Sequence, residues 1–130
     1  MRIFHTAISV NSLEESRAFY EKVFDLKFKT EGARPEVGIK LMHLEDKHGT
    51  VIELIEHETP VPTHEDFMDF SNVGFKHIAF EVDKIEPVME KALKLGAKVI
   101  WDIRKGVTVK RVAFITDPNG LAIELVELHK

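Results

Sequence analysis

The chain has 130 residues, of which 44% are hydrophobic and 31% charged, as expected for one globular domain with a core and a charged surface. Its net charge of −4 argues against a nucleic-acid-binding protein, and no apolar run approaches the roughly 20 residues of a membrane span. Cysteine is absent, which excludes disulfides, zinc–thiolate sites and thiol nucleophiles, so any metal must be held by His, Asp or Glu. The N-terminus lacks the apolar core of a signal peptide, and we therefore expect a cytoplasmic protein.

The first half of the chain predicts a strand, a helix and three more strands. Alternation and β-branched residues indicate the first strand at His5–Val10. Ser12 and Glu15 have the spacing of a capping box, and the apolar residues that follow at helical spacing, as far as Phe24, predict a helix. Three strands should follow, at about residues 26–31, 37–45 and 50–57.

The second half predicts the same elements in the same order. A strand is indicated at His77–Val82. Asp83 and Glu86 have capping-box spacing and predict the start of a helix, which Gly96 should end. Three strands should again follow, at about residues 97–103, 107–116 and 121–128.

Two strings of the first half recur in the second half. Asp46–Glu56 matches Asp117–Glu127, with Asp, Gly, Ile, Glu, Leu and a second Glu in register, and both strings begin with a predicted turn. His5–Val10 matches His77–Val82. The offsets are 77 − 5 = 72 for the histidines and 124 − 53 = 71 for the glutamates. Two matches at nearly one spacing predict a duplicated module.

The predicted fold class is therefore α+β, with two βαβββ modules in tandem. The modules should span residues 1–58 and 73–130, and a polar linker at 59–72 should join them. We expect them to form a single domain over residues 1–130, because a sheet of so few strands needs its twin to close a core.

Each module repeats one histidine and one glutamate. Side chains alternate across a strand, so Glu53 and Glu124 point away from the Ile and Leu residues that flank them. If those apolar residues pack against the helices, both carboxylates face the concave side of the sheet, and strand parity would place His5 and His77 there too. Two imidazoles and two carboxylates suit a divalent ion such as Ni, Zn, Co, Mn or Fe(II).

A simpler explanation must be weighed against this metal hypothesis. A single His on a strand is more often a hydrogen-bonded polar residue than a ligand, and a single Glu is more often part of a solvated surface. We assign that plain role to Glu56, Glu127, His43, His48, His57, His64 and His129. The hypothesis for the other four residues depends on their paired recurrence, because burying two carboxylates without a counterion would be costly.

Four segments of the chain resemble the vicinal oxygen chelate superfamily. This superfamily contains glyoxalase I, bleomycin-resistance proteins, extradiol dioxygenases, fosfomycin-resistance enzymes and methylmalonyl-CoA epimerase. The segments that carry the resemblance are His5–Val10, Ala18–Leu26, His77–Val82 and Asp117–Leu125. The resemblance covers essentially the whole chain and implies a glyoxalase-like fold, in which sheets of paired βαβββ modules curl around a metal site.

The ligand positions implied by this resemblance distinguish its branches. Glyoxalase I has His, Glu, His and Glu there, and this chain has His5, Glu53, His77 and Glu124. Dioxygenases and fosfomycin-resistance enzymes use two His and one Glu, the epimerase usually has Gln at the position of Glu53, and bleomycin-binding members lack the set. The comparison favours glyoxalase I and implies one divalent ion per site, with Ni or Zn ahead of Co, Mn or Fe.

A resemblance to glyoxalase I implies a metal-dependent lyase or isomerase. It would convert the hemithioacetal of a thiol and a 2-oxoaldehyde, such as methylglyoxal, to a 2-hydroxyacyl thioester through a metal-stabilised enediolate. By the same resemblance Glu124 would be the base, and Glu53 would return the proton. The alternatives are an epimerase, a dioxygenase-like enzyme or a metal-free protein that binds a small molecule. In that last case aromatic side chains would line the cup, namely Phe75, Phe80, Trp101 and Phe114.

The chain departs from the glyoxalase I pattern where a thiol would be recognised. Ser9 stands where the resemblance implies an Arg that pairs with a glutathione carboxylate, and His57 and Glu58 occupy the stretch of an expected Asn. The thiol therefore stays open. Candidate cationic contacts are Arg34, Lys40, Lys105 and Lys110. Small members of the superfamily are generally homodimers, some with the metal site inside one chain and some with a site shared between subunits, and the sequence permits either.

Overall fold

The computed structural model describes residues 1–130, which divide into two compact units at residues 1–62 and 63–130. The elements of the first unit are β1 (His5–Val10), α1 (Leu13–Phe24), β2 (Lys27–Arg34), a 3₁₀ turn (Pro35–Val37), β3 (Ile39–Glu45) and β4 (Val51–His57). Those of the second are β5 (Ile78–Glu81), α2 (Ile85–Lys94), β6 (Val99–Lys105), β7 (Arg111–Thr116) and β8 (Ala122–Glu127). No helix of the chain is long and apolar enough to cross a membrane.

Each unit contains one four-stranded mixed sheet. The strand orders are β1-β4-β3-β2 and β5-β8-β7-β6, so the first strand of each unit lies beside its last. These first and last strands run parallel, and the remaining neighbours are antiparallel. The α+β architecture of two βαβββ modules in tandem is thus confirmed.

Helix α1 begins as the sequence predicts. Ser12 is the N-cap, and its Oγ accepts a hydrogen bond from the Glu15 amide at 3.2 Å. The helix ends at Phe24, and its C-cap residue Asp25 has a left-handed backbone with φ of +58°. Its buried face consists of Leu13, Ser16, Phe19, Tyr20 and Val23. This face contacts β3 and β4, where Leu44 and Leu54 are fully buried and form the centre of the core.

Helix α2 begins differently, and the predicted capping box at Asp83 and Glu86 is wrong. The N-cap is Lys84, which offers no side-chain acceptor. The Ile85 amide instead donates to Glu127 Oε2 at 2.9 Å, so a carboxylate on β8 supplies the cap. The predicted stop at Gly96 is confirmed, because Gly96 has φ of +95° and follows the C-cap residue.

The second glutamates of the repeated strings anchor both helices. The Leu13 amide, first in α1, donates to Glu56 Oε1 at 2.8 Å, just as Glu127 accepts from α2. Glu127 is 3% exposed and is held by Arg111, whose guanidinium lowers the pKa of Glu127 from its ordinary 4.5 to about 2. The plain surface role predicted for Glu56 and Glu127 is therefore wrong, because a carboxylate at a helix N-terminus satisfies amides that have no partner within the helix.

The predicted turns before β4 and β8 are confirmed. Asp46 Oδ1 accepts from two later backbone amides at 2.8 and 2.9 Å, and Asp117 Oδ1 does the same at 2.8 and 2.9 Å. Two strands differ from the predicted limits by three or more residues at one end. β2 extends to Arg34, and β7 begins only at Arg111 because Gly106 hydrogen-bonds to Lys110 in a turn.

Candidate metal centre

The strand pairing of the first unit brings His5 and Glu53 together. β1 runs parallel to β4 with Ala7 opposite Glu53, and His5 lies two residues before Ala7 on the same face. The residues that flank Glu53, Ile52 and Leu54, are 5% and 0% exposed and lie on the opposite face. The His5 Nε2 atom is 3.7 Å from Glu53 Oε1.

The second unit repeats this arrangement with His77 and Glu124. Ala79 on β5 lies opposite Glu124 on β8, and His77 precedes β5 with the same parity. His77 Nε2 is 3.6 Å from Glu124 Oε1. The neighbours of Glu124 in sequence, Ile123 and Leu125, are buried on the other face. The structure thus brings the four sequence-predicted residues together as two pairs, one in each unit.

The geometry of each pair suits two ligands of one ion better than a hydrogen bond. A separation of 3.6 or 3.7 Å is beyond hydrogen-bond length. Two tetrahedral ligands that each lie 2.1 Å from an ion would be about 3.4 Å apart. Nδ1 of His5 and Nδ1 of His77 are buried without a hydrogen-bond partner. No hydrogen-bond acceptor of the protein therefore fixes the proton of either ring on Nδ1. Imidazole and carboxylate donors of this kind suit a borderline divalent ion.

His43 is a third site residue of the first unit, and its predicted plain surface role is wrong. It lies on β3 directly opposite Glu53 and is 9% exposed. Its Nε2 is 2.7 Å from Glu53 Oε2, and the potential ligand atoms of His5, His43 and Glu53 all lie within 4.8 Å of one another. The predicted turn at Asp46–Gly49 is the feature of the sequence that could have revealed this role of His43. A hairpin sets residues equally distant from its turn opposite each other, which places position 43 beside position 53.

In the second unit, Phe114 stands where the first unit has His43. It lies on β7 opposite Glu124 and is 3% exposed. The rings of His77 and Trp101 both pack edge-on against Phe114, each with a centroid distance of 5.0 Å. Of the aromatic residues predicted to line the site, Phe114 and Trp101 therefore lie on the face of Glu124. Phe80 pairs with Leu125 on the opposite face of the sheet.

The positions considered for thiol recognition are spread over both faces of the sheets. Ser9 is exposed on β1 and has the same parity as His5. Lys40 lies opposite Glu56, on the face of β3 away from His43. Arg34 is exposed and pairs with Glu36 at 3.5 Å. Lys105 and Lys110 are exposed as well.

Comparisons with known proteins agree with this architecture. Residues 2–125 match the model of the Glyoxalase/Bleomycin resistance protein/Dioxygenase superfamily. The chain is 32% identical over 135 residues to a lactoylglutathione lyase of Escherichia coli O157:H7, in an alignment that covers 98% of the chain and 93% of the relative. A lactoylglutathione lyase of Neisseria meningitidis serogroup A is 31% identical, with 98% of the chain and 91% of the relative covered.

Solved structures show the same fold. A glyoxalase family protein from Bacillus cereus superposes with a TM-score of 0.82 at 22% identity, over 99% of this chain and 95% of that one. The trypanothione-dependent glyoxalase I of Leishmania major superposes with a TM-score of 0.77 at 25% identity, over 98% of this chain and 86% of that one. Sequence match, fold and paired His and Glu residues agree, and the chain belongs to the Glyoxalase/Bleomycin resistance protein/Dioxygenase superfamily, as its motifs predicted.

Proposed function

We propose that the protein is a metal-dependent lyase of the glyoxalase I type. The observation that carries the proposal is the duplicated His–Glu pair, with Nε2 and Oε1 3.7 Å apart in one unit and 3.6 Å apart in the other. A protein that only binds an organic molecule has no need of two such pairs. Relatives named lactoylglutathione lyase, at 31 and 32% identity over nearly the whole chain, support the same activity.

We propose that His5, Glu53, His77 and Glu124 are the ligand set for one divalent ion per site, within one chain or shared between two chains of a dimer, with Ni or Zn favoured over Co, Mn and Fe. Two imidazole nitrogens and two carboxylate oxygens form a donor set of intermediate softness, which these ions prefer over Mg or Ca. The bound ion would supply Lewis-acid polarisation of the substrate oxygens.

We also expect the protein to form a homodimer, which light scattering would test against the chain mass of 14.9 kDa.

The reaction is a proton transfer between neighbouring carbons of a small substrate. The carbon that bears sulfur and hydroxyl in the hemithioacetal loses its C–H proton, and the adjacent carbonyl carbon gains one. The hydroxyl on the first carbon loses its proton and becomes the thioester carbonyl, while the carbonyl oxygen on the second carbon gains a proton and becomes the hydroxyl of the product, so no atom is gained or lost. We propose that Glu124 removes the proton, with Glu53 as the second carboxylate able to carry it. Their side chains are 21% and 15% exposed, so both remain within reach of a substrate.

The thiol of the substrate differs between the relatives. Glutathione is the thiol in the names of the bacterial relatives, and trypanothione is that of the Leishmania enzyme. Because this chain has Ser9 where the glyoxalase I resemblance implies an Arg, we propose a thiol other than glutathione, or one bound by other cations. A panel of methylglyoxal hemithioacetals made with several low-molecular-weight thiols would identify it by their relative kcat/KM.

Metal analysis of the untagged protein tests the proposal directly. We expect near-stoichiometric Ni, Zn, Co, Mn or Fe in the wild type, and its loss from an E53Q/E124Q double variant. The matched control is E90Q, because Glu90 is exposed on α2 and pairs only with Lys94. A wild type that binds none of these ions after reloading, and converts no hemithioacetal, would mean that the protein is a small-molecule binder instead.

A further inference from the structure

We propose that His43 is a positioning residue that holds Glu53 as a permanent ligand and thereby leaves proton transfer in both directions to Glu124. The inference rests on the proposed function and narrows it, because it gives the return of the proton, which Glu53 could otherwise carry out, to Glu124 alone and so assigns separate tasks to two carboxylates that the duplication makes equivalent. Its basis is a difference between the units. Glu53 has a histidine opposite it on the neighbouring strand, and Glu124 has Phe114.

The two oxygens of Glu53 face two different histidines at two different distances. Oε2 is 2.7 Å from His43 Nε2, the length of a strong hydrogen bond to a carboxylate, whereas Oε1 is 3.7 Å from His5 Nε2. Two ligands 2.1 Å from one ion and only 2.7 Å apart would subtend about 80°, well below the tetrahedral angle. His43 is therefore suited to donate to the distal oxygen of Glu53, while Oε1 stays available beside His5.

The donor is itself held in place. β3 lies between β2 and β4, and Met42 and Leu44 on either side of His43 are 5% and 0% exposed. On its own face the His43 ring packs against His5, with a centroid distance of 5.3 Å, and against Phe4 at 6.0 Å. A fixed donor on one oxygen restricts rotation of the Glu53 carboxylate, as partners outside the ligand set do in metal sites.

Glu124 has no such restraint. Phe114, which lies opposite it, presents a hydrocarbon ring that cannot donate a conventional hydrogen bond, and that ring packs against His77. The nearest histidine nitrogen is His77 Nε2, at 3.6 Å. A carboxylate that must leave an ion, accept a proton and return it needs freedom to rotate. Glu124 has that freedom, and Glu53 is restrained by His43.

Three variants test this inference through metal binding. H43F copies the residue of the second unit, H43Q keeps an N–H donor, and H48F is the control because His48 is exposed in a turn. Metal-free proteins are titrated with Co²⁺ and followed by visible absorption, and thermal unfolding verifies that each variant folds. H43F should weaken Co²⁺ binding by about 10- to 100-fold, H43Q should restore most of the loss, and H48F should match the wild type. At saturating Co²⁺, KM should remain unchanged in H43F, because the role assigned to His43 is to position Glu53 and not to bind the substrate.

The possible failures are distinguishable. A wild type that binds Co²⁺ and converts a hemithioacetal, beside an H43F variant with unaltered Co²⁺ affinity, would overturn the role of His43 and leave the proposed function intact. Equal losses in H43F and H43Q would also overturn it, since Gln keeps the donor. A wild type that neither binds Co²⁺ nor acts on any hemithioacetal would remove the proposed function itself. If H43F does not fold, H43L takes its place as the variant without a donor, and equal Co²⁺ affinities of H43L and H43Q would overturn the role of His43.

Discussion

The two units of the molecule share one strand order and one register, but they surround their repeated glutamates differently. In both, an alanine on the first strand lies opposite the glutamate, and a histidine two residues earlier approaches it. The antiparallel neighbour then differs, with His43 in the first unit and Phe114 in the second. The duplicated backbone thus places the same donors twice. The residue opposite the glutamate on the neighbouring strand determines whether the carboxylate has a hydrogen-bond donor beside it.

The starts of the two helices differ in a related way. α1 has two acceptors, Ser12 at its N-cap and Glu56 from β4, whereas α2 has only Glu127 from β8. Glu127 is in turn bound by Arg111, which also pairs with Glu86. In the first unit a cap residue and a carboxylate both accept hydrogen bonds from the start of the helix. In the second unit one buried carboxylate does this alone.

Replacing one glutamate at a time should give the largest effect and the sharpest test of the comparison. E124Q should lower kcat by about 10²- to 10⁴-fold at saturating Co²⁺, because an amide cannot accept the proton. E53Q should chiefly raise the Co²⁺ concentration needed for activity, since the amide oxygen can still bind the ion but the NH2 group that replaces Oε2 cannot accept a hydrogen bond from His43. Initial rates over a range of Co²⁺ concentrations measure both, with E90Q as the control. Equal losses of kcat in the two variants would mean that the carboxylates share the work.

Giving the second unit the histidine of the first should have the next largest effect. In F114H, a donor opposite Glu124 should restrain that carboxylate and lower kcat on the order of tenfold, while Co²⁺ affinity stays the same or increases. F114L is the control, because it removes the ring without adding a donor, and thermal unfolding of both variants reports the packing lost around Trp101. A kcat in F114H no lower than in F114L would contradict the role assigned to a free Glu124.

The sequence was sufficient for the fold because its signals are local and occur twice. Alternation predicted β1 with the observed limits, and the apolar spacing after Ser12 predicted α1. The repeated strings predicted the two His–Glu pairs, because two modules with the same sequence pattern should pair their strands in the same register. The limits of β7 were missed, because residues 107–110 have strand-like composition but lie outside the ladder, beyond a turn.

The residues that were missed act through partners on other strands. His43 has no counterpart in the repeat, so recurrence could not reveal it, and only the pairing of β3 with β4 places it beside Glu53. Glu127 looked like a surface charge because its partner Arg111 is distant in sequence and becomes its neighbour only through the pairing of β7 with β8. A search for periodicity cannot find single polar residues whose partners are distant in the sequence.

The helix anchors should differ in their effect on stability. E127Q should lower the Tm of the metal-free protein by several degrees, because it removes the charge that pairs with Arg111 and weakens the acceptor for the Ile85 amide. E56Q should lower it less, since Ser12 still caps α1. Calorimetry of both variants beside the wild type measures the difference. A larger loss in E56Q would show that α1 depends on its carboxylate more than on its cap.

The smallest expected effect is a loss of stability at acid pH that should be larger in the wild type than in E127Q. Arg111 holds the pKa of Glu127 at about 2, below its ordinary 4.5, so the folded state binds fewer protons than the unfolded state between these values. The stabilisation is complete above pH 4.5 and decreases as the pH falls toward 2. The Tm difference between wild type and E127Q, measured on metal-free protein from pH 6 down to about pH 3, should therefore become smaller toward the acid end. A constant gap between the two curves would mean that Glu127 acts through its shape and hydrogen bonds rather than through its charge.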